Sequence, residues 1–184
     1  MSCLKGKFQK FCSFYISELH LVTMLLPYVS KEIDEGTEIK PILEKNLERE
    51  IKVLITKLNL SPDKNQKIMQ INWKKNDLSK YEKLQKFLNE QIKTNKKVDL
   101  IINGKYEFIE KVNANIKQYK IQNAKKLKEI ELNIINCYEV NEFYSMKEVL
   151  DKHDKIINTS GEVEIQAMFP DYVPPEEYHK IVND

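Results

Sequence analysis

Val98-Asp99-Leu100-Ile101-Ile102, running into Asn103-Gly104, is a short apolar stretch that stops at a turn. Apolar residues then recur at helical spacing through Phe108, Ile109, Val112, Ile116 and Tyr119. A second apolar run follows over residues 131–140, where Leu132, Ile134, Ile135, Cys137 and Tyr138 read as a buried strand. Strand, helix and strand in this order make the βαβ unit of a parallel sheet.

The same alternation extends outward in both directions. Upstream, Phe11-Cys12-Ser13-Phe14-Tyr15-Ile16 suits a buried strand. Ser17 is placed to N-cap a helix through Leu19, Val22, Leu25, Leu26, Val29 and Ile33, and Gly36 is placed to end it. Pro27 should kink or restart that helix. Residues 37–43 carry a weak extended signal broken by Pro41, so a strand there is short or at a sheet edge. Residues 44–58 predict a second amphipathic helix, Ser61-Pro62-Asp63 a turn, and Lys67-Ile68-Met69-Gln70-Ile71-Asn72-Trp73 an alternating strand. Ser79 then caps a helix through Tyr81, Leu84, Leu88 and Ile92. Downstream, residues 146–153 predict a short helix, and residues 155–157 with 162–167 predict one more strand or a closing hairpin. The fold class expected is three-layer α/β, with a mostly parallel central sheet flanked by helices. Residues 1–168 form one domain in this reading, and the Pro-rich, acidic residues 169–184 form an extended or docking tail.

The chain has 184 residues, 41% of them hydrophobic. A chain of this length buries roughly 70% of its unfolded surface, enough for a single core without disulfides. Cys3, Cys12 and Cys137 form no CxxC pair, so no metal is expected and the thiols are expected to be reduced. The apolar stretch 19–29 is cut by His20, Thr23 and Pro27, too short and broken to span a bilayer. Lys5, Lys7 and Lys10 lead into no secretory cleavage pattern, so the expected location is the cytoplasm, away from membranes. Charge is uneven: residues 64–128 hold seventeen lysines against six acids, whereas the chain beyond residue 128 is acidic. That basic block offers a nucleic-acid surface as an alternative reading, although it holds no arginine for bidentate recognition.

A phosphate-cradling loop needs closely spaced glycines between a strand and a helix, and Gly6, Gly36, Gly104 and Gly161 are far apart. No GxSxG or HExxH pattern occurs, so neither a catalytic residue nor a cofactor is expected. His20 reads as structural, and His153 as a partner of the negative end of its helix. Ligands of parallel sheets bind beyond the carboxyl ends of the strands. Trp73, Asn103, Tyr138 and Glu139 fall at predicted strand ends and are expected to line one mostly aromatic crevice there.

Several stretches, in their order and spacing, resemble the methanogen/methylotroph sensory (MEDS) domain of bacterial and archaeal regulators. These are Cys12-Ser13-Phe14-Tyr15, Leu26-Pro27-Tyr28-Val29 running to Glu35-Gly36, Ile68 through Trp73, and Asn136-Cys137-Tyr138-Glu139 continuing to Val149-Leu150-Asp151-Lys152-His153. The family places a histidine where this chain has Lys10, and a clearer strand where this chain has Pro41. The resemblance implies a RecA/KaiC-like core without a nucleotide loop, and sensing rather than catalysis. It adds Tyr15, Cys137 and His153 to the candidate ligand-binding residues. The function expected is a stand-alone sensory or regulatory domain that binds a small molecule or a regulatory protein partner, a kinase or a transcription regulator.

Overall fold

A computed structural model describes residues 7–176; Cys3 and the tail from Glu177 onward lie outside the described residues. The described residues build a six-stranded sheet flanked by helices on both faces. The chain order is β1 (Phe8–Tyr15), α1 (Glu18–Asp34), β2 (Glu38–Leu43), α2 (Glu48–Lys57), α3 (Pro62–Gln70), α4 (Tyr81–Thr94) and β3 (Lys97–Asn103). It continues with α5 (Tyr106–Gln122), β4 (Glu131–Glu139), α6 (Met146–Asp151), β5 (Lys155–Asn158), β6 (Gly161–Glu164) and α7 (Ile165–Met168). Across the sheet the order is β2-β3-β4-β1-β5-β6; all neighbours are parallel except the β5–β6 hairpin.

Strand parity sorts the core into two halves. Phe11 and Tyr15 of β1, Ile101 of β3, and Ile135 and Cys137 of β4 pack on the first face with α1, α2 and α3. Cys12, Val98, Leu100, Ile102, Leu132, Ile134 and Tyr138 pack on the second face with α4, α5 and α6. β1 and β4 are adjacent in register from Phe8 opposite Leu132 to Tyr15 opposite Glu139. Their following helices, α1 and α6, lie on opposite faces, which opens the switch point of the sheet at their carboxyl ends.

Local signals account for most element ends. Ser17 caps α1 by accepting the His20 N–H, and Gly36 follows it at φ 78°. α1 runs on through Pro27 without restarting; the ring stands on the exposed side of the helix. β2 is an edge strand, as the Pro41 signal requires. The Pro41 carbonyl points out of the sheet to Asn76 Nδ2 (3.1 Å), and in a strand the missing N–H of the same residue points with it, so no ladder bond is lost.

Two sequence expectations are overturned. Residues 62–70 are helical: Ser61 accepts the Lys64 N–H and Pro62 sits in the first turn, a helix start rather than a free turn. Trp73 therefore ends no strand. Ser79 does not cap α4 either, because Lys80 occupies the cap position and makes no side-chain bond there.

At the amino end of the sheet, a polar cluster sits inside the first-face core. Tyr28 OH donates to Asp99 (2.6 Å), Asn133 Nδ2 donates to Asp99 (2.9 Å), and Lys97 pairs with buried Glu32 (2.6 Å). On the second face, the described part of the tail folds back. The Phe169 ring meets Phe14 edge-on at 6.2 Å, and Tyr172 OH donates to Asp151 (3.0 Å).

Candidate functional site

The switch point brings Tyr15, Asn103 and Glu139 to one rim. All three end their strands, and all three project from the first face by parity. Asn103 Nδ2 donates to Tyr15 OH (2.7 Å) and to the Cys137 carbonyl (3.3 Å), while its Oδ1 is buried with no hydrogen-bond partner among the described residues. Burial, reinforced by the nearby charges of Glu139 and Glu18, pushes the Tyr15 hydroxyl up to about 12. Tyr15 is therefore a neutral hydroxyl at ordinary pH, able to bind but not to act as a base.

Two helices begin at this rim, and a side chain of the same chain meets the backbone at the start of each. In the β1–α1 turn the Ile16 N–H donates to His20 Nδ1 (3.2 Å) beside the Ser17 cap. At α5 the Lys105 N–H donates to the Glu44 carboxylate (2.6 Å). Gly104 permits that clasp, since a Cβ there would lie 2.7 Å from the same carboxylate and 2.6 Å from the Phe108 ring.

The other expected site residues lie elsewhere. Trp73 is buried under the first-face helices, where its indole N–H donates to the Ile68 carbonyl (2.9 Å) at the end of α3. Tyr138 neighbours Glu139 in sequence, so it points to the second face, where it stacks on Phe14 and meets Phe143 and His153 edge-on. Its hydroxyl is buried without a partner among the described residues, and burial raises its pKa. The single crevice of Trp73, Asn103, Tyr138 and Glu139 is thus divided: the sheet separates Tyr138 from Asn103, and Trp73 belongs to a helix layer. Cys137 is wholly buried on the first face beneath the Asn103 amide, and burial raises both its thiol and that of Cys12, the latter to about 12. Neither is a nucleophile in this state.

His153 is also a core residue. Its Nδ1 meets the Val149 carbonyl (2.5 Å) and its Nε2 meets Asn136 Nδ2 (2.9 Å), which is in turn paired with Asn113. Burial lowers its pKa to about 3. The ring touches the last turn of α6, as the sequence implies, but as a neutral hydrogen-bonding group rather than a cation on the helix dipole.

What the sequence reading did not single out on this rim is its apolar surface. Ile16 (71% exposed), Leu19, Val140 and Tyr144 (95% exposed) follow the carboxyl ends of β1 and β4, and the Val140 N–H bonds to the Tyr15 carbonyl beside Ile16. The available signal was an apolar residue placed one position past each strand end. Glu18, Glu139 and Glu142 give the same rim an acidic border.

Part of the basic block is neutralised by ion pairs. Lys64 pairs with Asp34, Lys67 with Asp63, Lys83 with Asp77 and Lys97 with Glu32. Among the described residues, no group of three His, Cys, Asp or Glu side chains is arranged to hold a metal ion, and no helix is long and apolar enough to cross a membrane. Compared with known proteins, the chain matches no protein-family model and no curated protein sequence.

Proposed function

We propose that this chain is a sensory or regulatory α/β domain of the cytoplasm that recognises a small ligand or a regulatory protein partner at the carboxyl rim of its sheet. One observation carries the reading: the switch point presents exposed Ile16 and Val140 over the buried Tyr15–Asn103 pair. An apolar surface with a few placed polar groups suits binding. The resemblance to the MEDS family, and the RecA-like core it implies, belong to the same proposal.

The experiment compares wild type with Ile16→Asp and Val140→Asp in thermal-shift screens against metabolites and in pull-downs from the native cytosol. Both residues are exposed, so the variants are expected to fold with unchanged stability and to lose the ligand shift or the captured partner. A chain that binds nothing and turns over a substrate overturns the reading, as does binding indifferent to both substitutions.

A further inference from the structure

On the second face, away from the rim, no helix of the described residues packs squarely over the amino half of β1. α6 has six residues and so spans about 9 Å, while the eight-residue β1 spans roughly 26 Å. The β4–α6–β5 crossover therefore covers only the carboxyl half of the strand. What remains is a cavity of about 500 Å³ with Phe8, Ile134 and the stem of Lys10 as its floor and α5 as its wall.

Four lysines converge on this cavity: Lys10 from β1, Lys117 and Lys120 from α5, and Lys152 from the end of α6. One carboxylate, Glu110, faces them, and Lys152 occupies it at 2.9 Å. Lys120 lies over the Phe8 ring at 3.0 Å from its centroid. No carboxylate closes an ion pair with the Lys10 or Lys117 ammonium among the described residues. Asp154 meets the Lys10 backbone N–H at 2.8 Å and adds only a more distant charge to its side chain. Burial holds the Lys10 ammonium below its ordinary value; Glu110 and Asp154 oppose that effect while Lys152 and Lys117 add to it, and Lys120 is lowered by burial and by Lys10. The lining holds four cations against one carboxylate, an imbalance that an anion would relieve. Ala114, Ile116 and Ile121 supply apolar wall, and the Asn113 amide in the lining is held by Asn136 and the Ile109 carbonyl.

We propose that this groove is a binding site for a small organic anion, a phosphate or carboxylate carried on an apolar or aromatic body. Volume, inward convergence of the cations and the apolar floor favour that class. A nucleic-acid strand would need cations along an extended track rather than around one local groove. The site is separate from the rim and does not depend on it.

The test is calorimetric titration of the full chain with 1-naphthyl phosphate, with 1-naphthol and inorganic phosphate as separate probes of the two halves of the ligand. The expected result is that the aromatic phosphate binds at least tenfold tighter than either. Lys10→Gln combined with Lys117→Gln lowers that affinity at least tenfold, while Lys86→Gln on α4 and Ile16→Asp at the rim leave it unchanged. Should the double variant fold poorly, the exposed Lys117→Gln alone carries the test, with a loss of at least threefold expected. Equal affinity for naphthol, binding unaffected by these lysines, or single-stranded DNA held by the same lysines in preference to the aromatic phosphate would each overturn the proposal.

Discussion

Asp99 and His153 are buried titratable residues that pull the stability of this protein in opposite directions with pH. Burial raises Asp99 to about 6 despite the Tyr28 and Asn133 hydrogen bonds. Its contribution is fully present below the ordinary aspartate value of 3.8 and is lost as pH rises through about 6. His153 is lowered to about 3, so its contribution is fully present above 6.5 and is lost as pH falls toward 3. Asp99→Asn keeps the shape and lets the Asn133 amide turn, so that its unpartnered Oδ1 gains a donor. Urea denaturation of the variant should match wild type near pH 4 and gain steadily on it up to pH 7. The final difference should be of order 3 kcal/mol, the free energy corresponding to the raised pKa. A difference that does not vary with pH would show that Asp99 is not the titrating group.

Elements were legible where two independent signals agreed. α1 has the Ser17 cap, a helical stripe and Gly36, and the strands 98–103 and 131–139 have apolar runs closed by polar residues. The stretch 62–70 set two signals against each other. Ser61-Pro62 is a helix start, while alternation from Lys67 to Trp73 imitates a strand. The helix prevails because Ile68 is the one fully buried residue within 62–70, and its carbonyl at the helix end accepts from the Trp73 indole and from the Ile71 N–H. Trp73→Phe removes the indole donor and leaves that carbonyl with the Ile71 N–H (3.3 Å), with an expected loss of about 0.5–1.5 kcal/mol in chemical denaturation. An unchanged midpoint would mean that water replaces the indole.

At the scale of the molecule, layer architecture and the edge position of β2 follow from the sequence, but the lateral order of the strands does not. The site suffered accordingly. Tyr138 and Glu139 cannot share a crevice because neighbouring strand residues face opposite ways, a parity already present in the sequence. The lysine groove could not be foreseen, since it arises from a short crossover beside a central strand. Whether the tail is part of the folded unit is open to measurement. Phe169→Ala removes the ring that packs on Phe14, and it should cost about 1–2 kcal/mol and increase binding of a hydrophobic dye. No change would mean that the tail contributes nothing to the fold.

The flank of β2 has a consequence of its own. Pro41 offers no outward donor, and its outward acceptor is already engaged by Asn76; at the far side β6 is four residues long and carries Glu162 and Glu164. Both margins are poor templates for another strand, which disfavours fusion of two copies into one continuous ribbon.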